Sequence, residues 1–292
     1  MNYFSRLHPA VSAFYLMSVL AVTMFASNPA IVLISLICSI IFFFQIERPS
    51  FSLKKSGFCL LLFIIVSITN PLFSHNGVTV LFFMNGNPIT LEAVLYGVFL
   101  AVMMLAVIFW FRCLNIILTE DKLLYLIGGI SPKIALVISS ALRFVPLLKN
   151  QGLKIKNAQK AMGLYASDAW TEKLKSTAMT YSALITWSLE NAVDTGMSMK
   201  ARGYGNKPRS RYSLYLFRKS DGLITVLILL LDLVIVIALS FGWLEFDFYP
   251  TLSYAKINFG AIAIIAFAIL CVLPIISEIE ESLKWKFYVS KI

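Results

Sequence analysis

The chain has 292 residues and a formal net charge of +10; 59% of its residues are hydrophobic, only 14% are charged, and the mean hydropathy is +0.82. A soluble domain typically carries about 25% charged residues, so this composition excludes an ordinary soluble protein and indicates an integral membrane protein. No metal site is expected, because the two histidines, His8 and His75, lie far apart and the four cysteines stand singly beside apolar residues, as small buried side chains do.

Six apolar stretches approach the roughly 20 residues that one helix needs to cross a bilayer. They cover residues 9–26, 30–46, 57–72, 91–111, 223–243 and 257–277. We therefore predict an all-α, polytopic helix bundle of about six spans. The first stretch follows Arg6 in the manner of a signal peptide, but Met24 stands where cleavage would need a small residue, so we expect a retained span.

Basic and non-basic links alternate between these stretches. Lys and Arg occur before the first stretch, between the second and third, after the fourth and at the end of the chain. The first link has no charge, residues 73–90 contain no Lys or Arg, and the loop after Trp243 carries only acids until Lys256. By the positive-inside rule, this pattern predicts a cell-membrane protein with both termini in the cytoplasm.

A central segment, residues 119–219, holds the excess charge. It contains sixteen Lys or Arg and six Asp or Glu, whereas the rest of the chain has nine of each sign. We therefore divide the chain into membrane helices at 1–118, a basic cytoplasmic region at 119–219, and further membrane helices at 220–292. Topology and contact with anionic lipid headgroups explain part of this charge.

Two long helices are predicted in the basic region. Ser131 is a good N-cap and Pro132 a good first residue for the first helix, which Pro146 should kink or break before Gly163. The second begins at a cap formed by Ser167 or Asp168 and stops at Gly203. Its Ala192 and Gly196 form a pair of small residues that lets another helix cross closely.

The two helix ends carry the same short motif. Residues 160–165 read KAMGLY and residues 200–205 read KARGYG, so the frame K-A-x-G recurs after forty residues. A basic last turn followed by glycine is typical of helix C-termini. A straight chain of this length separates the two ends by up to about 60 Å, so two similar tips held apart suit two similar partner sites, as in a dimeric soluble partner.

Together, ALRFVPLL, NAQKAMG and MKARGYG resemble the transmembrane T component of energy-coupling factor (ECF) transporters, the CbiQ-like membrane proteins, over about residues 123–211. The resemblance implies a subunit that joins a substrate-binding membrane S component to two cytoplasmic ABC ATPases. It implies that two coupling helices dock the ATPases through Ala-Arg-Gly motifs. The docking residues are then Lys160, Ala161, Met162 and Gly163 in the first helix and Lys200, Ala201, Arg202 and Gly203 in the second.

The second motif is intact, but Met162 stands where the first motif should have arginine. Because an arginine makes a bidentate contact with a carboxylate and a methionine does not, we predict asymmetric docking, with the Arg202 end the stronger. The resemblance leaves the cargo open between vitamins and transition-metal ions.

Several charged residues have a structural interpretation. Glu190 and Asp194 share one face of the second helix and are expected to pair with bases such as Lys160 or Arg143. Asp232, inside an apolar stretch, is expected to contact another helix or the S component, with an ion or proton role as the alternative.

Other classes of protein fit less well. A stand-alone secondary transporter or channel remains the alternative, although such proteins usually place repeated or broken helices at the midplane. A membrane-embedded enzyme would need acid-rich metal motifs, and no Walker A sequence is present, so we expect a non-catalytic subunit without a cofactor whose ATP is bound elsewhere. Nucleic acid is an improbable partner for a basic segment tethered between two spans.

Overall fold

The computed structural model describes residues 4, 7–46, 53–74, 76–84, 87–163, 169–206, 215–250, 253–254 and 257–289. The contacts divide the chain into two units. Unit one comprises Met1–Leu123 together with Tyr215–Ile292, and unit two comprises Leu124–Leu214. The first unit is therefore built from both ends of the chain, and the second is inserted between them.

The described residues form nine helices and two small antiparallel hairpins, so the predicted all-α fold is confirmed. The helices are α1 Pro9–Phe25, α2 Pro29–Ile46, α3 Leu53–Phe73, α4 Leu91–Ile117, α5 Glu120–Ile130, α6 Pro132–Ala161, α7 Trp170–Ala201, α8 Lys219–Ser240 and α9 Ile257–Val289. The strands are β1 Val80–Met84, β2 Asn87–Thr90, β3 Phe246–Asp247 and β4 Ser253–Tyr254. All six apolar stretches fall on helices of unit one.

Four of these helices are long and apolar enough to cross a membrane. They are α2, α4, α8 and the Gly260–Glu280 part of α9, while α1 and the Gly57–Phe73 part of α3 are apolar but shorter. The chain is thus a multi-pass membrane protein. Helix α4 continues beyond the predicted stretch to Ile117. The apolar run ends at Arg112, but residues 112–117 keep the helical hydrogen bonding.

Helices of unit one are joined by buried hydrogen bonds. Ser35 of α2 lies at the centre of one network, in which its hydroxyl accepts from the Trp110 indole N–H at 2.9 Å and pairs with the Thr23 hydroxyl at 2.8 Å. The Tyr15 hydroxyl of α1 donates to the Leu270 carbonyl of α9 at 3.1 Å. All four cysteines are buried and free, as expected from their apolar neighbours.

Helices α3 and α4 approach closely at Gly97. A Cβ at this position would lie 2.5 Å from the Ser67 carbonyl oxygen. Nearby, the Asn70 side-chain amide donates to the Ala93 carbonyl at 2.8 Å. Glycine is therefore required at residue 97 by the neighbouring backbone and not by its own torsion angles.

The links of unit one gather at its two ends. The Phe4 N–H donates to Glu278 of α9 at 2.9 Å, which brings the start and the end of the chain to one side. On the other side, Val32 and Phe99, near the starts of α2 and α4, pack with Phe246 and Phe248 from the link between α8 and α9. The links without basic residues therefore lie together, as alternating spans require.

Unit two contains the two long helices, with two differences from the prediction. Helix α6 runs unbroken through Pro146, because losing one backbone hydrogen bond in thirty residues does not end a helix that the remaining bonds support. Helix α7 begins at Trp170 with Ala169 as its N-cap and no side-chain cap. The predicted caps Ser167 and Asp168 lie outside the described residues.

Candidate functional site

The two K-A-x-G motifs form helix ends of the same geometry. We call residues 160–163 tip one and residues 200–203 tip two. The C-cap of tip one is Met162, with φ −80° and ψ 2°, and that of tip two is Arg202, with φ −80° and ψ 7°. The glycine that follows has φ 83° at Gly163 and 79° at Gly203. The sequence repeat is thus a structural repeat.

Glycine terminates both helices by taking the left-handed conformation that other residues avoid. The Gly163 N–H donates to the Lys160 carbonyl at 3.0 Å, and the Gly203 N–H donates to the Lys200 carbonyl at 3.0 Å. At tip two the Tyr204 N–H also donates to the Met199 carbonyl at 3.0 Å, which completes a Schellman motif. The corresponding residue after tip one lies outside the described part of the chain.

This termination projects the side chain before the glycine away from the helix. Met162 is 70% exposed, and Arg202, Lys160 and Lys200 are exposed as well. Tip two therefore presents two cations, whereas tip one presents one cation beside an apolar side chain. The two tips share a backbone and differ in charge.

Helices α6 and α7 run in opposite directions and keep the tips apart. Gly152 of α6 lies against Leu184 of α7, and seven residues further along α6 the Gln159 side chain accepts from the Thr180 hydroxyl. Tip one, one turn beyond Gln159, is thus level with the first third of α7, while tip two lies at its end. At 1.5 Å per residue, the 21 residues from Thr180 to Ala201 span about 30 Å.

The face of α7 that packs on α6 carries polar side chains beside Leu184. Ser176 is buried there, Gln159 of α6 is buried, and Thr180 bridges the two helices. The opposite face is apolar, with side chains every fourth residue that are 58–66% exposed. These residues, Tyr181, Ile185, Leu189, Val193 and Met197, form what we call the α7 ridge. Since a helix normally buries its apolar face, the ridge is a surface for an apolar partner.

The other predicted coupling-helix residues lie at the surface of unit two. Arg143, Glu190 and Asp194 are exposed, and none of them forms an ion pair within the described residues. The pairing expected for Glu190 and Asp194 with Lys160 or Arg143 is thus not formed there, because Lys160 lies at the tip and all four side chains point outwards.

The two small residues of α7, Ala192 and Gly196, are accessible at the surface of unit two. Ala192 is exposed, and a Cβ at Gly196 would meet nothing within 4 Å among the described residues. The close crossing predicted at this pair is not made with a described helix of unit two. It stays a prediction for a partner helix, beside the α7 ridge.

Asp232 lies in α8, where both of its carboxylate oxygens are buried without a hydrogen-bond partner among the described residues. The Ser18 hydroxyl of α1 is close to this carboxyl, but it donates to the Tyr15 carbonyl at 2.9 Å. Among the described residues there is no cluster of three or more His, Cys, Asp or Glu suited to a metal ion.

Two further polar residues, Glu92 and Lys122, make contacts that the sequence did not predict. Glu92 is buried at the start of α4 and accepts from the Thr79 N–H. Lys122 is buried in α5 and donates to the Ile117 carbonyl, the last residue of α4, at 2.7 Å. Burial lowers the pKa of the Lys122 ammonium below its ordinary value. A charge next to a predicted helix end was the only signal for either role.

Comparison with known proteins places the chain in a family. The profile of the CbiQ family, described as cobalt transport protein, matches residues 2–214. An energy-coupling factor transporter transmembrane protein EcfT of Lactobacillus helveticus is 42% identical over 91 residues, which is 30% of this chain and 33% of that protein. The EcfT of Listeria innocua is 36% identical over 91 residues, covering 30% and 34%. The chain thus spans about a third of the length of these relatives.

The fold defines a multi-pass membrane protein with an inserted, basic helical unit. The family profile covers both the first part of unit one and nearly all of unit two. The chain belongs to the CbiQ cobalt transport protein family.

Proposed function

We propose that this chain is the transmembrane coupling subunit of an ATP-driven, ECF-type importer for a vitamin or a transition-metal ion. In this role unit two is cytoplasmic, its two tips hold two ABC ATPases, and unit one sits in the cell membrane beside an S component that binds the substrate. The subunit itself is non-catalytic, because ATP is hydrolysed by the ATPases. The observation that carries the proposal is the repeated tip geometry at Met162–Gly163 and Arg202–Gly203.

The distance between the two tips favours two separate partner sites on one rigid pair of helices, α6 and α7. The polar contact between Gln159 and Thr180 ties α6 to α7, so a movement imposed on one tip is passed to the other helix. An ATPase pair that closes on ATP and opens after hydrolysis would therefore rotate or bend both helices together. The excess positive charge around the tips supports a cytoplasmic location.

The α7 ridge supports a membrane partner. Its five apolar side chains lie opposite the packed face and next to the open pair Ala192 and Gly196. Small residues flanked by apolar ones let a second helix pack closely. We assign this surface to the S component, which would then move with the coupling helices.

Asp232 favours a second candidate, a stand-alone transporter or channel, because its carboxylate is buried in a membrane helix without a hydrogen-bond partner among the described residues, and intramembrane acids mark ion pathways. Transport by the purified chain alone in proteoliposomes would support this candidate. The first proposal requires that the chain alone transports nothing.

The proposal is tested by co-purifying the full chain with its ATPases and comparing Arg202→Ala with Lys175→Ala. Both variants remove one exposed positive charge from α7 or its end, but only the first removes the tip. A contact from arginine to a buried carboxylate contributes about 2–5 kcal/mol when only one partner is removed, so Arg202→Ala should weaken ATPase binding at least tenfold. Equal ATPase retention by the two variants would count against the proposal.

A further inference from the structure

The link between α3 and α4 folds as a hairpin with a fixed base. The Thr90 hydroxyl donates to the Asn76 carbonyl at 2.7 Å, and the Leu91 N–H donates to the Thr79 carbonyl at 3.0 Å. Glu92 accepts from the Thr79 N–H, and Ile89 is buried. The hairpin is therefore held in place on the start of α4.

Strand β1 exposes apolar side chains on both of its faces. Val80, Leu81, Phe82 and Phe83 are between 45% and 72% exposed. The register with β2 shifts at Leu81, and beyond it Phe82 pairs with Ile89 and Phe83 with Pro88. Since successive strand residues point to opposite faces, Phe82 and Phe83 project to opposite sides of the hairpin.

This apolar surface continues the lipid-facing surface of unit one. Phe73, at the end of α3, and Leu91 and Leu95, at the start of α4, are exposed next to the hairpin in sequence. Residues 73–91 contain no Lys, Arg, Asp or Glu. The hairpin thus has no charged side chain that would hold it in bulk water.

Two physical limits determine where such a hairpin rests. Water disfavours four adjacent exposed apolar side chains, and the hydrocarbon core disfavours the unpaired backbone groups along the two open strand edges. The interfacial layer satisfies both, because acyl chains cover the side chains while water reaches the strand edges. One protein partner would cover only one of the two faces.

We propose that the β1–β2 hairpin is a membrane-interface anchor. Phe82 and Phe83 insert on either side of the hairpin into the boundary between headgroups and acyl chains, in the leaflet that borders the links without basic residues. Because Glu92 and Thr90 tie the hairpin to α4, the anchor fixes the depth at which α4 begins. The partner is the lipid surface itself, and the anchor does not depend on the proposed function.

The proposal is tested with spin labels on the full chain, after the four native cysteines are replaced by alanine. Labels are placed at Phe82→Cys, at Phe83→Cys and, as a water-exposed control at the same end of unit one, at Asp247→Cys, which replaces an exposed residue. The variants are measured in nanodiscs of phosphatidylcholine and phosphatidylglycerol. We expect collisions with oxygen to exceed those with a water-soluble nickel chelate at both hairpin positions and to fall below them at residue 247.

Two results would overturn the anchor. Nickel accessibility at residues 82 and 83 equal to that at 247 would place the hairpin in water. Shielding of one label from both reagents, with lipid exposure of the other, would indicate a protein partner on one face.

The unmodified chain provides a second measurement if a labelled variant does not fold. A phosphatidylcholine with a diazirine near the top of its acyl chain should modify the peptide that contains residues 80–83 and spare the link at residues 243–250. Modification of neither peptide, while peptides of α3 and α4 react, would also refute the anchor.

Discussion

Arg202 and Met162 occupy the same position on two helix ends, and the difference between them is chemical. The φ and ψ angles of the two residues agree within 5°, so a side chain placed on one tip projects as it would on the other. The Arg202 guanidinium offers a fork of donors for a carboxylate, and the Met162 thioether offers only apolar contact. The asymmetric ATPase docking predicted from the sequence would therefore arise from one side chain, since the backbone is the same at both tips.

Met162→Arg should strengthen the binding of ATPases to the full chain. The new guanidinium would stand where Arg202 stands in tip two, and a hydrogen bond to a charged group contributes about 1.5–3 kcal/mol. We expect roughly tenfold tighter binding of the ATPase pair in a titration of the purified subunits. Met162→Leu is the control and should change little; weaker binding by the arginine variant would show that tip one docks through apolar contacts.

Lys122 makes a different local interaction, a hydrogen bond at the C-terminal end of α4. Its ammonium donates to the last carbonyl of that helix, so Lys122→Met should lower the stability of the folded chain at neutral pH by about 1–3 kcal/mol. The pKa of this lysine is lower in the folded chain than in the unfolded one. Between these two values the unfolded chain binds more protons, so the stability of the native protein rises with pH.

The difference in unfolding free energy between the native chain and Lys122→Met should therefore grow as the pH rises towards the ordinary lysine pKa of about 10.4. Thermal or denaturant unfolding in detergent, followed at several alkaline pH values, measures it. A difference that shrinks with rising pH would mean that the charge of Lys122 is stabilised by its surroundings.

At the level of whole helices, α3 and α4 depend on a close backbone approach. A methyl group at Gly97 would meet the Ser67 carbonyl at 2.5 Å, and overpacking of this kind reduces stability by about 1–3 kcal/mol. Gly97→Ala should thus lower the melting temperature of the purified chain. Gly57→Ala, in α3, is the matched control, because a Cβ there would meet nothing within 4 Å among the described residues, and it should be neutral or slightly stabilising; equal effects of the two would remove the packing explanation.

Helix positions and the tips were predictable from the sequence because both depend on local patterns. An apolar run of bilayer length specifies a helix wherever it is placed, and a basic residue followed by glycine marks a helix end. Interactions between distant residues were not predictable in this way. Glu92 reaches Thr79 only because a hairpin folds back on α4, and nothing in the spacing of the two residues indicates it.

The errors in the prediction have the same origin. Pro146 was expected to kink or break a helix, and the break does not occur, because the loss of one hydrogen bond is small beside the remaining bonds of α6. Glu190 and Asp194 were expected to pair with nearby bases, yet the side of α7 that packs on α6 carries Ser176 and Thr180, and both acids are exposed and form no ion pair among the described residues. Helix rotation depends on the packing partner and not on helix propensity.

The whole molecule consists of a membrane unit made from both ends of the chain and an inserted pair of helices whose two tips share one backbone geometry. Unit one contains the apolar spans, and unit two contains the exposed cations of the tips and the α7 ridge. In the proposed function three surfaces meet partners, namely the exposed apolar side chains of unit one, the α7 ridge and the tips. The proposed coupling function requires that the two tips hold different ATPase molecules at the same time.

Cysteine cross-linking tests this requirement most directly. Met162→Cys, Arg202→Cys and the double variant of the full chain are each treated with a short thiol-reactive cross-linker in complex with co-expressed ATPases. Each single variant should capture one ATPase, and the double variant should capture two, giving a product with the mass of the chain plus two ATPases. Capture of one ATPase by the double variant, or of none by either single variant, would contradict the account.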